Sequence, residues 1–499
     1  MLIEAGGEPA SRFVSIPAGF PKLFRSELDW AFESEPQAAV GGRRIFTPRG
    51  RMLGGSSNLN AQIHQWCHPA DFDGWAAAGA AGWSWNEVAP VFREQEALAA
   101  GSGGPDRGRG GPMRIAPNRN ARPLSHRFVA AARSLGLGGA TEYNGAAYEG
   151  AWIPELAHHR GRRFSVYDAY LRPARRRQNL DLLAGVQAVG VKIEEGRARG
   201  VRVRRGGVEE LFEARGVVLA AGAFGSPHLL MHSGIGPADV LTKVDLAVRF
   251  EAPEVGRNLQ DHPLLPLTFR SSTSDTMKCA ESIASLLRYL LFGRGMLASN
   301  GVEAFAFTQV EPGHVAAPDL ELIFVPFEFR KEFLEAPREH AFSIGAAVVA
   351  PRSRGQIWLR GPDPLAAPAI DFGLLSDPDG VDARVLLAGA RLARRIATTE
   401  PLAELHSGPL LPEESVRSDA ELLDFAAAAL QTVYHPTSTC RMGTDGRSVV
   451  DPQLRVRGVD GLWVVDASVM PAVPRGHPNA VVAMIADRAA RWVELALLA

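Results

Sequence analysis

The sequence predicts an α/β fold joined to a second domain built on an antiparallel sheet. Three observations carry this. Continuous apolar runs at 217–221 (VVLAA) and 462–466 (LWVVD) are closed by glycine or an acid, as strands buried on both faces are. A helical pattern follows the first of them, so strand and helix alternate. The middle of the chain is rich in turns and in alternating apolar and polar residues, which suits an antiparallel sheet.

Taken in order, residues 1–7 (MLIEAGG) read as a buried strand ending in Glu4 and a glycine turn. An acid at that place suits the second strand of a dinucleotide-binding βαβ unit, where it accepts hydrogen bonds from ribose hydroxyls. Such a unit starts roughly 20 residues earlier with a glycine-rich phosphate loop. Either the fold is different, or the chain lacks its own beginning. A Gly/Ser-rich stretch occupies 48–60, a helical pattern 88–98, and 101–111 (GSGGPDRGRGG) reads as a flexible surface linker. Residues 181–204 predict a hairpin turning at EEGRARG. Ser226 and Pro227 predict a helix with Ser at its cap and Pro in its first turn, stopped at Ser233 and Gly234. Two apolar runs lie within 316–350, an amphipathic helix at 380–397 and a closing helix at 480–498.

Composition narrows the classes. The 499 residues exceed what one core usually holds, so two domains are the default. Lys+Arg number 54 and Asp+Glu 55, a net charge of -1, which argues against nucleic acid or an anionic membrane surface as the main partner. Cys67, Cys279 and Cys440 form no CxxC, so neither a zinc site nor a disulfide framework is indicated, as in a reducing compartment. No run reaches the roughly 18 apolar residues that span a bilayer. No signal peptide is visible either, and a cytoplasmic location is expected.

Four segments carry chemistry. Residues 50–60 (GRMLGGSSNLN) place paired glycines among Ser56, Ser57 and Asn60, so the backbone can approach a flat or phosphorylated ligand; a surface turn explains the same residues. Residues 222–236 (GAFGSPHLLMHSGIG) make either an anion-ready helix N-terminus or a plain crossover. Residues 434–443 (YHPTSTCRMG) and 476–480 (GHPNA) each set a histidine before a proline, which stiffens the backbone holding the ring. Each histidine alone reads as structural; as a pair flanking the 462–466 strand they read as acid–base groups.

Together these segments resemble the glucose–methanol–choline (GMC) oxidoreductases, a family of FAD enzymes. Further matches are PADFD with Trp75 at 69–75, VGRNLQDH at 255–262, RSRG at 352–355, and Asp451, Pro452 and 465–471 (VDASVMP), so the likeness covers essentially the whole chain. The resemblance implies a discontinuous Rossmann-like FAD-binding domain (1–68, 180–262 and 440–499) and a substrate domain on an antiparallel sheet (69–179 and 263–439). It implies that Glu4 binds the adenosine ribose and that Arg51, Gly54, Gly55, Ser56, Asn58, Asn60 and Ala61 lie along the flavin and pyrophosphate. Gly222, Asp466 and Ala467 then approach the ribityl and pyrophosphate, with Pro478 and Asn479 near the flavin ring. Leu59 stands where some members carry a flavin-linked histidine, so non-covalent FAD is expected. His64 departs from the family pattern and reads as a satisfied polar residue or an added pocket group. The family's GxGxxG loop would precede Met1, so the N-terminus reads as truncated, by a misplaced start or as a real short form.

His435 and His477 match the family's catalytic positions, with Asn479 the rival of His477. The implied reaction is oxidation of a primary or secondary alcohol. His435 takes the hydroxyl proton, His477 stabilises the developing alkoxide, and hydride passes to flavin. The partners implied are a small alcohol and an electron acceptor such as oxygen or a quinone. A hydroxynitrile-lyase-type enzyme and an FAD-poor inactive form are the alternatives. No carboxylate is assignable to an ammonium group, which favours uncharged or aromatic alcohols over choline-like ones.

Overall fold

In the computed structural model, which describes residues 1–138, 143–145, 148–311 and 316–498, two architectures share the chain. The first is parallel: Leu2–Glu4 pairs with Leu182–Ala184, and Val217–Leu219 with Leu462–Val464. The helices Pro69–Ala77, Trp85–Gln95 and Asn479–Leu498 pack against this layer through Trp66, Phe72, Phe92, Trp463, Met484 and Ile485. The predicted hairpin is Gln187–Glu194 against Arg197–Arg205, turning at Glu195 and Gly196 with φ of 50° and 72°, and Val208–Glu213 adds a third strand.

The second architecture is an antiparallel sheet. Its strands run His406–Leu411, Pro263–Ser271, Ala341–Val348, Leu320–Val325, Ala304–Thr308, Gly150–Trp152, and Gln431–Thr432 adds to Pro263–Ser271. Strand alternation gives this sheet two different faces. Leu320, Leu322 and Phe324 meet the helix Val381–Ala397, with Gly389 so close that a Cβ there would lie 2.8 Å from Ala346 Cβ. Phe305, Phe307, Ile323 and Val325 point the other way, as does Glu321 by its position in the alternation. That second face carries the chemistry described below.

Three local expectations are corrected. The helix after Val217–Leu219 opens at Gly222, four residues before the predicted cap, and Pro227 lies inside it. Ser226 is not the cap because its hydroxyl is bonded to Asp466 Oδ2, 2.5 Å away, and to the Ala221 N–H. Pro227 has no N–H for the Ala223 carbonyl four residues back, and the Thr439 hydroxyl donates to that carbonyl instead, at 2.7 Å. The run at 217–221 is not buried on both faces, since Val218 is 44% exposed. Finally, 101–111 is no free linker. Arg107 is buried and grips the fully buried Glu96 through Nε and Nη2 at 2.9 and 2.8 Å, and reaches Glu155 with Nη1.

Glu96 also accepts from His64 Nε2 and Trp66 Nε1, so His64 is bonded at Nε2, while its buried Nδ1 has no partner. Truncating one partner of such a buried pair leaves a bare charge and costs about 3–5 kcal/mol. Arg107→Ala is therefore expected to lower the calorimetric melting midpoint sharply, and Glu155→Ala, which removes only the outer partner, much less.

Candidate functional site

His435 and His477 meet at the junction of the two architectures, ring centroids 5.0 Å apart and planes at 84°. Each sits on a loop held by a different buried carboxylate. The His435 backbone N–H donates to Asp261 Oδ1 at 2.8 Å, and the His262 N–H donates to the same oxygen at 2.8 Å. Around this oxygen the 255–262 segment clamps the histidine loop: Thr437 N–H donates to the Gln260 carbonyl at 2.9 Å, and Arg49 donates to the Tyr434 carbonyl. Tyr434 takes φ of 65°, an unfavourable value for a side-chain-bearing residue that this clamp holds in place. Burial pushes the Asp261 carboxyl up to about 7 against these donors and Arg49.

His477 is fixed from three sides. Its backbone N–H donates to Gln65 Oε1 at 2.9 Å, and its Nε2 lies 2.9 Å from Glu321 Oε1. Asp71 accepts from the Arg475 N–H at 2.8 Å and pairs with its guanidinium, while Tyr148 donates to the Arg475 carbonyl at 2.7 Å. Phe305 lies beside the ring, 6.1 Å between centroids.

A third histidine completes the cluster. His262 Nδ1 lies 3.1 Å from His435 Nδ1, with the rings perpendicular. Burial depresses the His435 imidazole well below its ordinary value, and His477, His262 and Arg49 push it further the same way. His262 is driven down to about 3, chiefly by burial and then by His477. Both rings are neutral at neutral pH.

The residues expected along a cofactor form three arcs around this cluster. Glu4, at the end of its strand, accepts from the Gly6 N–H at 2.7 Å; burial raises its carboxyl to about 7, and Arg51 opposes the rise. Gly7 bridges to Met52, which brings the first arc onto Arg51, Gly54 and Gly55. A Cβ on Gly6 would lie 2.0 Å from the Arg51 carbonyl oxygen, so only glycine permits this approach. Ser56 accepts from Gly50 N–H, Asn58 is buried and donates to the Leu53 carbonyl, Asn60 accepts from Arg163, and the Ala61 carbonyl accepts from Asn300. In the second arc Asp466 accepts from Gly222 N–H, Ser226 and Ser468 N–H, and the Ala467 carbonyl accepts from Ser438 on the His435 loop. The third arc is Pro478 and Asn479, where the C-terminal helix begins just after His477.

The first two arcs offer open backbone and unpartnered polar atoms to a ligand. A Cβ added to Gly7, Gly55 or Gly222 would meet nothing within 4 Å, so at all three the backbone borders open space. Ser468 Oγ and Arg51 Nε are buried without a hydrogen-bond partner, one in each of the first two arcs. Asp466 itself has both oxygens bonded within the protein, so its carboxylate braces the Gly222 turn.

The sequence brought forward His435, His477 and the arcs but not Glu321, Asp261, His262 or Gln65 as site residues. Glu321 is the one acid within the apolar stretch 320–325, which was a legible signal. Glu321 is fully buried beside His477.

Fold and site thus define a two-part α/β protein with a histidine pair at the join and glycine-edged arcs leading to it. Family profiles described as GMC oxidoreductase match residues 2–264 and 351–486. An uncharacterized GMC-type oxidoreductase of Mycobacterium tuberculosis is 45% identical over 98% of this chain and 93% of that relative. An oxygen-dependent choline dehydrogenase of Sinorhizobium medicae is 36% identical over 98% and 90%. The crystal structure of pyridoxine 4-oxidase from Mesorbium loti superposes with a TM-score of 0.90 at 33% identity, covering 99% of this chain and 94% of that one. The chain belongs to the GMC oxidoreductase family, whose members depend on FAD.

Gly476 sets the reach of His477. Its φ is 113°, and a Cβ there would lie 2.4 Å from Gln65 Oε1 and 2.5 Å from the Tyr148 hydroxyl. Both atoms hold the loop by hydrogen bonds, so neither can move freely. Gly476→Ala is expected to displace His477 and lower kcat on the order of a hundredfold, read by steady-state kinetics at saturating substrate.

Proposed function

We propose that this protein oxidises a primary or secondary alcohol with non-covalent FAD, using His435 as base and His477 as the group that holds the alkoxide. The observation that carries this reading is the crossed pair, one ring neutral and the other braced by a buried carboxylate. In this reading residues 1–68, 180–262 and 440–499 hold FAD through the three arcs, and 69–179 with 263–439 hold the substrate. Bound FAD supplies the acceptor for the hydride.

The protein's own residues divide the proton work. A neutral His262 carries one ring proton, on one of its two nitrogens. With that proton on Nε2, His262 Nδ1 accepts from His435 Nδ1–H, which leaves the His435 Nε2 lone pair free for the hydroxyl proton. Glu321 Oε1 lies 2.9 Å from His477 Nε2 and fixes the ring, so that His477 can hydrogen-bond the alcohol oxygen through its other nitrogen as charge develops there. Phe305 beside His477, and Tyr434 with Phe24 and Phe333 beside the His435 loop, give an aromatic surround. That lining suits an uncharged or aromatic alcohol, with the charge of Glu321 engaged by His477. The pyridoxine 4-oxidase likeness is in keeping with a ring-bearing alcohol.

Two outcomes test this. His435→Ala is expected to slow anaerobic bleaching of the flavin by alcohol by about 10²–10⁴-fold in stopped flow. Unchanged bleaching removes His435 from the mechanism, and cleavage of a cyanohydrin without bleaching turns the reading toward a lyase. The pH profile gives the second outcome. A protonated His435 cannot accept a proton, and its folded value is depressed from 6.5. Activity is therefore retained at neutral pH and lost only as pH falls below 6.5; an acid limb of kcat/KM above that value contradicts the assignment.

A further inference from the structure

The helix Ile283–Phe292 is built inside out. It is capped by Ser282, which accepts the Ser285 N–H at 3.2 Å, and stopped by Gly293 at φ of 61°. Its apolar residues Ile283, Leu286, Leu287, Leu290 and Leu291 follow the i, i+3, i+4, i+7, i+8 spacing of one helical face. An amphipathic surface helix turns such a stripe toward the core. Here the stripe faces outward: Ile283 is 78% exposed, Leu290 67%, Leu291 70%, and Phe292, just off the stripe, 70%. Tyr289 is the one buried residue of the helix. Among the described residues none covers this face, which leaves it open as a docking surface.

The charges around it choose the occupant. Lys278, Arg288 and Arg294 are exposed on and beside the helix, and Arg160 and Arg162 are exposed on the neighbouring turn. That turn is adjacent because a Cβ on Gly161 would lie 2.1 Å from the Gly293 carbonyl oxygen. Among the described residues none of the five cations forms an ion pair. The two nearby acids do: Glu281 with Lys22 at 2.7 Å, and Asp275 with Arg122. The rim is therefore positive around an apolar centre. A second copy meeting this face across a two-fold axis would set the same five cations against each other. An anionic bilayer offers opposite charge at its surface and hydrocarbon below it, which is what rim and centre need.

We propose that this helix lies in the plane of an anionic lipid surface and docks the protein there. It does not cross: among the described residues no helix is long and apolar enough to span a membrane. The whole-chain charge of -1, from which an anionic surface seemed an unsuitable main partner, averages over this local patch. The docked helix leads by contact toward the chemistry. Its segment continues into Met296–Ala298, which packs against Pro17–Leu23. Phe20 and Phe24 there meet Phe333, and Phe24 meets Tyr434, the neighbour of His435. Docking thus sets an aromatic path to the histidine pair at the lipid surface.

Flotation of the flavin-loaded protein with vesicles tests this, using phosphatidylcholine alone and phosphatidylcholine mixed with phosphatidylglycerol. The wild type is expected to float with the mixed vesicles, less so as salt rises. Leu287→Glu with Leu290→Glu is expected to cut the partition coefficient by at least about tenfold, since each leucine's burial is worth a factor of that order. Arg288→Glu with Arg294→Glu is expected to remove the preference for phosphatidylglycerol. These side chains are exposed, so unchanged flavin absorbance and melting midpoint identify folded variants. A wild type that stays with the unbound protein, or a leucine variant that floats as well as wild type, overturns the proposal. So does a wild-type dimer that ignores vesicles and that the leucine variant breaks apart.

Discussion

Everything at the join of the two architectures depends on two carboxylates buried beside two histidines. A buried carboxylate is tolerable only when donors surround it, because an unpaired charge in a dry interior costs several kcal/mol. Asp261 gathers its donors from the backbone: the N–H groups of His262 and His435 converge on one oxygen. Glu321 takes its donor from the ring of His477. Each carboxylate is met on one oxygen, and the group that meets it is the backbone or ring of a site histidine. The two rings thus face one another with centroids 5.0 Å apart.

The rest of the molecule is arranged to keep these carboxylates where they are. Glu321 rides on the central antiparallel sheet, and strand alternation alone decides that it faces the site while Leu320 and Leu322 face the helix Val381–Ala397. Asp261 ends a segment tied at Leu259 to Gly355, whose motif is in turn held by Asp382 accepting the Arg352 and Ser353 N–H groups. The parallel layer enters through Pro227, which frees the Ala223 carbonyl for Thr439 on the histidine loop. A proline in a helix, an acid in another helix and the register of a sheet thus bear on one pair of imidazoles.

Much of this was legible in the sequence, and the limits have physical reasons. The 381–397 helix and the strands within 316–350 announced themselves by period, because their partners are apolar and the pattern is local. The histidines were legible through His-Pro and the surrounding glycines. Ser226 misled because its hydroxyl answers an acid 240 residues away rather than its own helix. Arg107 misled because glycines around it imitate a linker, while Gly108 and Gly111 are there to let the chain pass against the Arg93 carbonyl and the Gln95 backbone. Gln65 and His262 act through contacts between distant segments, which no spacing along the chain encodes, and Glu321 was legible only as the one acid in an apolar stretch.

The pair is chemically asymmetric although its members are the same residue. His435 has two imidazoles and a guanidinium around it and no carboxylate touching its ring, so its neighbours oppose a proton. His477 has Glu321 Oε1 2.9 Å from its Nε2, so one of its nitrogens is already held. Two like groups in such different surroundings can take different roles. The order of roles in the proposed reaction follows from that contrast alone: the ring starved of counter-charge is the one with a lone pair to offer, and the ring beside the carboxylate is the one able to hold charge on the substrate oxygen.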